Sequence, residues 1–297
     1  MILNLAGLAS LFKSYNAAFQ NAFAKAAPQW QDVATKVPST GEANLFAFLG
    51  HFPQMREWLG DRQVKNMKAS NYTLVNKTFE STVSVPKTKI ADDTFNIFAP
   101  MFEFMGDAAA RHADEIVFAA LAAGATSTCY DGQYFFDTDH PIVVSGAAST
   151  ASNYDATGGG NLWALLDTKR PLKPFIYQER EPIKFESLSK DSDEYVMMKN
   201  ELLFGAQGRA AAGYGLWQMA YGSLNTLDST NVQAYAATMM ARKSDEGAPL
   251  SIMPDTCVVG PSNWAAARAL FLVPTLSGGA ANPNFGLCKV LVSPYLT

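Results

Sequence analysis

Charged side chains are scarce in this chain of 297 residues. Asp, Glu, Lys and Arg make up 17% of it, whereas about 25% is usual in globular proteins. The hydrophobic share of 48% is ordinary, and the length allows about two domains with a substantial core. Something other than charge must therefore cover much of the surface. A membrane, uncharged polar loops and other protein chains are the three candidates.

Long hydrophobic runs are also missing. No window reaches the roughly 18 consecutive apolar residues that a membrane-spanning helix needs. The apolar residues 1–12 have no positive charge before Lys13, so a secretory signal is not expected. Asp and Glu outnumber Lys and Arg by 27 to 23, which argues against nucleic-acid binding as the main task. We expect no membrane association.

Cysteine and histidine are rare, with three of each. Cys129, Cys257 and Cys288 cannot all pair within one chain and lack metal-type spacing, so we expect free thiols in a reducing compartment. Glycine-rich phosphate-binding patterns, HExxH and GxSxG are absent from the sequence. These features together predict no cofactor, no metal and no enzymatic activity.

Two candidate active sites remain as alternatives. Asp137 and Asp139 alternate along a segment that ends at His140, as a metal site could use, but Asp and His before proline are typical of a turn. Cys129 with His140 or His112 would supply a nucleophile and a base. That pair keeps a soluble hydrolase as an alternative function, although nothing local in the sequence supports it.

An amphipathic helix is predicted at the N-terminus. Its apolar residues follow at steps of three or four and form a single stripe; they are Leu5, Leu8, Phe12, Tyr15, Phe19 and Phe23. The stripe could dock on its own domain, on another subunit or on lipid. Lipid is the weakest option, because interfacial helices prefer a strongly basic polar face and this one has only Lys13 and Lys25.

The period of the pattern then changes. Residues 64–90 alternate with a period of two, and the polar pair Asn76-Lys77 suggests the turn of a two-stranded hairpin. With little hydrophobic content, this hairpin needs another surface to lie on. Helical spacing follows from Pro100, which can open a helix, to Gly124. About 24 residues at 1.5 Å each predict a rod of roughly 36 Å.

The remainder of the chain is mixed. Strands are predicted at 175–178, 250–259 and 288–292, and strand-and-turn structure at 201–220. Helices are predicted at 232–242 and after Pro261. Short strands alternating with helices indicate an α/β or α+β class.

Charge is unevenly distributed along the chain. Residues 61–90 carry six basic and two acidic side chains, whereas residues 91–140 carry nine acidic side chains and one arginine. We expect the basic segment to dock on the acidic one, either within one chain or between subunits. Ordinary solvated faces are the alternative. The candidate assembly contacts are Arg62, Lys65, Lys68 and Lys77, opposite Asp107, Asp114 and Glu115, together with the apolar Leu5, Leu8, Phe12 and Phe19.

Several segments that resist an enzymatic interpretation carry a family resemblance. They are 52–62, 76–80, 129–136 (CYDGQYFF) with His140-Pro141, 173–180, 203–205 and 211–220 (AAGYGLWQMA). In this order they resemble the major head subunit of Mu-like phages, within the tailed-phage major capsid proteins of the Hong Kong 97 type. No single segment is specific, but together they are.

The resemblance implies an α+β fold with four parts. These are an N-terminal arm (1–50), an extended β-hairpin loop (51–92), a peripheral domain with a long spine helix (93–135 and 179–221) and a mixed axial domain (136–178 and 222–297). In that fold the extended loop lies over the peripheral domain of a neighbouring subunit. The basic hairpin and the acidic helix segment agree with such an arrangement.

The resemblance also implies the function. Such a chain self-assembles into an icosahedral shell of hexamers and pentamers, is built in the cytoplasm of the bacterial host, and encloses double-stranded DNA in the phage head without specific contacts. Its further partners would be portal, scaffold and decoration proteins. A non-shell adaptor protein is the second alternative, beside the hydrolase.

One departure from the family pattern suggests a circular permutation in the axial domain. Relatives run a strand like 289–296 directly into a segment like 163–166, whereas here the second precedes the first. Such rearrangements are tolerated where termini lie close together on the surface. We therefore expect Thr297 to lie near the stretch 145–160.

Overall fold

The computed structural model describes residues 5–46, 72–92, 97–144, 147–190, 192–244, 248–276 and 278–296. The helices are α1 Leu5–Lys25, α2 Trp30–Val33, α3 Lys87–Ala91, α4 Ala99–Ala122, α5 Glu194–Lys199, α6 Ser229–Met240 and α7 Trp264–Phe271. The strands are β1 Ala34–Pro38, β2 Ala43–Leu45, β3 Thr73–Val75, β4 Lys77–Pro86, β5 His140–Val144, β6 Ala147–Ala151, β7 Tyr154–Asp155, β8 Trp163–Leu166, β9 Phe175–Leu188, β10 Glu201–Tyr214, β11 Ala220–Ser223, β12 Thr256–Val259 and β13 Lys289–Val292. The mixed helix-and-sheet class is as predicted.

A four-stranded sheet is built on one long hairpin. Strands β9 and β10, each of 14 residues, pair antiparallel, with α5 between them. Strand β1 joins β9 in parallel and β4 joins β10 antiparallel, so the order is β1-β9-β10-β4. The sequence predicted only the first four residues of β9, because beyond Gln178 its side chains become largely polar and exposed.

The predicted rod is confirmed as α4. Pro100 stands in its first turn, where a missing N–H costs nothing, and a short 3₁₀ turn follows its last residue. Its inner face is apolar; the buried residues include Phe102, Met105, Val117, Phe118 and Leu121. This face covers the sheet and so accounts for the helical period in the sequence.

The N-terminal helix is also confirmed, and it docks within its own chain. Tyr15 and Phe19 of α1 are completely buried, in a cluster with Phe102 of α4 and Phe185 and Phe204 of the sheet. The ring centroids of Tyr15 and Phe102 are 4.3 Å apart. Of the three surfaces on which this apolar stripe could dock, the structure therefore supports the stripe's own domain.

A five-stranded sheet forms the second half of the fold, in the order β13-β12-β8-β11-β7. Strands β8, β11 and β12 are buried at every position, which is typical of strands covered on both faces. Helices α6 and α7 contribute Tyr235, Met239 and Phe271 to the same hydrophobic cluster. The predicted strand 250–259 is shorter than expected, since only Thr256–Val259 pairs.

The predicted hairpin turn at Asn76-Lys77 is wrong. Strand β3 pairs with β2, and β4 pairs with β10 instead of β3. The Asn76 side-chain amide donates to the Ser39 hydroxyl at 2.9 Å and to the Gly41 and Glu42 carbonyls, and its oxygen accepts from Gln178 at 2.8 Å. Asn76 is thus a buried residue whose side chain links the loop between β1 and β2 to Gln178 of β9. The antiparallel β2–β3 pair flanks residues 47–71, which lie outside the described residues.

The circular permutation stays a prediction. Strands β8 and β13 belong to the same sheet, with β12 between them. Val292 pairs with Val259, which pairs with Trp163, so the end of β13 and the start of β8 lie at the same end of the sheet. Thr297, on which the prediction depends, lies outside the described residues.

Candidate assembly surface

The outer face of α4 carries a charged stripe. Glu103, Asp107, Arg111 and Glu115 follow at intervals of four residues, which places them on one side of the helix. Arg111 Nε donates to Asp107 Oδ2 at 2.8 Å, and this ion pair raises the pKa of Arg111. One arginine against three carboxylates leaves the stripe acidic. We call this set the acidic face.

Asp114 does not belong to that face. It is buried, and its Oδ1 accepts a hydrogen bond from the Trp30 backbone N–H at 2.7 Å. Burial raises the pKa of Asp114, while its hydrogen bonds oppose the shift. This carboxylate therefore holds α2 against α4. Sequence spacing alone does not separate it from Glu115, its exposed neighbour.

The predicted contacts on α1 fall into three groups. Phe19 is 0% exposed within the chain itself, so its side chain faces inward. Phe12 is half-buried and stacks on Phe185 with ring centroids 5.7 Å apart. Leu5 and Leu8 belong to the same helix, but their side chains lie outside the described part of the structure.

Of the predicted basic contacts, the structure describes Lys77. It is exposed at the start of β4, which forms one edge of the four-stranded sheet. Lys77 and Phe79 line a groove of about 740 Å³ between β3–β4, β10 and α4. Phe79 packs on His112, 4.1 Å between rings, and His112 Nδ1 lies 3.0 Å from Glu115 Oε2. Arg62, Lys65 and Lys68 lie outside the described residues.

An exposed aromatic residue beside the acidic face escaped the sequence analysis. Phe104 is 77% exposed on α4, next to Glu103. A signal was available, since Phe104 lies off the helical apolar stripe that includes Phe102 and Met105. Aromatic side chains are enriched in protein–protein interfaces.

The structure shows where the residues of the two candidate active sites lie. Asp137 accepts from the backbone N–H groups of Tyr134 and Thr138, which is the turn chemistry expected before the proline. His140 lies instead against Asp131, with Nδ1 2.7 Å from Oδ2. The structure therefore does not form the alternative metal site of His140 with Asp137 and Asp139.

Cys129 and His140 are brought together, but through a carboxylate. The Cys129 thiol donates to Asp131 Oδ1 at 3.1 Å, so the negative group stands between thiol and imidazole. Burial, and next the nearby Asp131, raise the pKa of Cys129. A catalytic cysteine needs the reverse, a cationic neighbour that stabilises the thiolate. The geometry does not support a cysteine hydrolase.

The comparison with protein families decides the identity. A family model described as the Mu-like prophage major head subunit gpT matches residues 8–296, nearly the whole chain. The chain belongs to this family. The resemblance found in the sequence is thereby confirmed.

Individual relatives of this head subunit agree. The Mu-like prophage FluMu major head subunit of Haemophilus influenzae is 40% identical over 88% of this chain and 87% of its own length. The major capsid protein of Escherichia phage Mu is 36% identical over the full length of both. A chain from the procapsid of bacteriophage JBD30 superimposes with a TM-score of 0.88 at 43% identity, covering 99% of this chain and 100% of that one.

The head subunit is thus a structural protein, the major capsid protein of a Mu-like phage, and a component of the phage head. Its relatives are shell proteins, and the family is not known to be enzymatic. Within the part of the chain that the structure describes, no helix has both the length and the apolar character needed to cross a bilayer.

Proposed function

We propose that copies of the head subunit form hexamers and pentamers of a closed icosahedral shell, in which the basic segment of one copy lies on the acidic face of the next. The acidic face supports this proposal most directly, because its carboxylates outnumber their cationic partners. The basic residues Arg62, Lys65 and Lys68 belong to the segment between β2 and β3.

The energetics favour many weak contacts. An exposed ion pair contributes roughly 0–1 kcal/mol, too little to hold one loop but enough to set its register and steer encounter. Covering Phe104 would add burial of an aromatic side chain, worth about 1.5–3 kcal/mol when complete. Repeated around a shell, such contacts reinforce one another because each subunit engages several neighbours.

We further propose the domain assignment implied by the family. The peripheral domain would be 93–135 and 179–221, which contain α4, β10 and most of β9, and the axial domain 136–178 and 222–297, which contain β8, β12 and β13. The cluster around Phe102, Phe185 and Phe204, which contains no residue of the five-stranded sheet, supports this division. A second cluster, which includes Phe118, Tyr214 and Leu166, packs the two sheets together. The enclosed cargo would be double-stranded DNA, contacted without specificity, because each subunit of the wall carries a net charge of −4. Portal, scaffold and decoration proteins would be the other partners.

A charge swap tests the docking. Changing Arg62, Lys65 and Lys68 to Glu should leave the subunit folded, as judged by circular dichroism, but prevent shell formation measured by sedimentation. The matched control changes three exposed lysines elsewhere in the chain, Lys169, Lys190 and Lys243, to Glu and should assemble normally.

The decisive experiment is to restore assembly by reversing charges on the acidic face as well. Adding Glu103→Lys, Asp107→Lys and Glu115→Lys to the first variant should restore shells if the two surfaces face each other. Normal assembly of the first variant, or failure of the rescue in a folded protein, would contradict the proposed docking.

A further inference from the structure

Three side chains outside the proposed assembly surface converge in the part of the chain that follows α4. Within the described residues, Cys129, Asp131 and His140 each offer one ligand atom, and these atoms all lie within 4.8 Å of one another. Cys129 and His140 are buried, and the Asp131 side chain is 11% exposed. A thiol, a carboxylate and an imidazole form a donor set that suits zinc.

Local chain geometry creates this convergence. The Cys129 N–H donates to the Gln133 carbonyl at 2.8 Å, and Gly132 adopts φ +89, a backbone conformation that favours glycine. This turn brings the side chains of Cys129 and Asp131 together. His140 enters from β5. The three groups come from two segments of the chain, with eight residues between Asp131 and His140.

The hydrogen bonds of Asn153 define which imidazole nitrogen is available. Its amide NH₂ donates to the Phe135 carbonyl at 2.7 Å and to the Trp217 carbonyl at 3.3 Å. The Asn153 oxygen therefore faces His140 Nε2, 3.1 Å away. An acceptor at that position requires the hydrogen on Nε2, which directs Nδ1 toward Asp131. Metal-binding histidines are typically oriented in this way, by a bond from the other ring nitrogen.

The ring of His140 is further held by stacking. It lies parallel to the Trp217 indole, with centroids 3.9 Å apart and planes inclined by 6°. The guanidinium carbon of Arg242 lies 4.7 Å from the centroid of the same indole. The imidazole therefore has little freedom to turn away from the cluster.

We propose that Cys129, Asp131 and His140 bind one zinc-type divalent cation, with a solvent molecule as the fourth ligand on the exposed side of Asp131. The charges balance. When the ion binds, the Cys129 thiol loses its proton, and the proton shared between Asp131 and His140 also leaves. The two positive charges of the ion replace the charges of these two protons. The metal forms bonds to Sγ, to one carboxylate oxygen and to Nδ1, with no oxidation or reduction.

The required rearrangement is small. Tetrahedral zinc with bonds of about 2.0–2.3 Å separates its ligand atoms by roughly 3.3–3.6 Å. Because a single carboxylate oxygen would bind, one of the present Sγ–Oδ1 and Nδ1–Oδ2 distances, 3.1 and 2.7 Å, must open by roughly half an ångström. The other pairs of ligand atoms, which lie within 4.8 Å of one another, must close by at most about 1.5 Å. Bound metal would tie the turn after α4 to β5.

Cobalt is the probe for the test. The full-length subunit, stripped of metal with a chelator, is titrated with Co²⁺, which gives a thiolate charge-transfer band in the near ultraviolet when cysteine coordinates. We expect the band to saturate at one equivalent and to disappear when Zn²⁺ is added. Zn²⁺ should also raise the melting temperature. Absence of both the band and the thermal shift in the wild-type protein would overturn the proposal.

Variants identify the ligands. Cys129→Ser should abolish the band and weaken binding more than about 100-fold, beyond the range for loss of a residue that only orients a ligand. His140→Gln should act similarly, and Cys288→Ala, which removes a buried thiol elsewhere, should retain the band. A band that survives in Cys129→Ser would also overturn the proposal. The wild-type titration remains decisive if a variant does not fold.

Discussion

Gly106 of the long helix lies directly against the backbone of Phe19 on the N-terminal helix. A Cβ at position 106 would collide with the Phe19 carbonyl oxygen and would lie 3.0 Å from its carbonyl carbon. The absence of a side chain therefore sets how closely α1 and α4 approach. Tyr15 and Phe19 reach the cluster around Phe102 through this contact.

Replacing Gly106 should reveal the importance of this contact. In an exposed helix, Gly→Ala stabilises by about 1 kcal/mol, but here we expect Gly106→Ala to destabilise by about 1–3 kcal/mol, because the helices must separate. Urea denaturation measures the difference. Ala108→Ser, on the exposed side of the same helix, is the control and should change stability by less than about 0.5 kcal/mol. A stabilised Gly106→Ala protein would show that the helices do not pack in this way.

Phe104 separates folding from assembly. Because its side chain is 77% exposed, Phe104→Ser should leave the free energy of unfolding nearly unchanged. If a neighbour covers it, the yield of shells in sedimentation should fall sharply. Met253→Ser, at a residue that is 63% exposed away from α4, is the matched control. Equal shell yields for the two variants would remove Phe104 from the interface.

Asp114 should affect the stability of the protein in two separable ways, through its hydrogen bond to Trp30 and through its buried charge. Asp114→Ala leaves the buried Trp30 N–H without its acceptor, at a cost of about 1–3 kcal/mol. Asp114→Asn keeps an oxygen there and removes the buried charge, so at pH 7 it should be at least as stable as wild type. Chemical denaturation of both variants tests this order. An Asn variant as unstable as the Ala variant would contradict it.

The pH dependence of Asp114 has a defined sign. Its pKa is raised in the folded protein above the ordinary 3.8, so the folded state binds this proton more readily than the unfolded state. Wild type should therefore gain stability relative to Asp114→Asn as pH falls from neutrality through the raised pKa toward 3.8. A difference that is constant with pH would show that Asp114 has no raised pKa.

Helices were the most predictable part of the fold. A stripe at steps of three and four, as in Leu8 to Phe23, reports both the helix and its buried side. Strand pairing was harder, because a period of two shows that Phe79 to Val85 is extended but not which strand lies beside it. The role of Asn76 was unpredictable for a related reason. A polar residue between strands suggests a turn unless its distant partners, such as Gln178, are known.

The candidate sites were only partly predictable from the sequence, for the same reason. The acidity of α4 is visible in the sequence, but which carboxylates face solvent depends on where α2 docks, as Asp114 illustrates. The cluster of Cys129, Asp131 and His140 depends on a turn and on β5 meeting. No spacing rule for metal ligands covers that combination.

The central claim is that copies of this chain build the closed wall of the shell. Electron microscopy of the purified, full-length head subunit after concentration in low salt tests it most directly. The account predicts closed particles of uniform diameter with hexameric and pentameric units, composed of this chain. A folded protein that yields only monomers or small heterogeneous oligomers, with and without the phage's other head proteins, would contradict it.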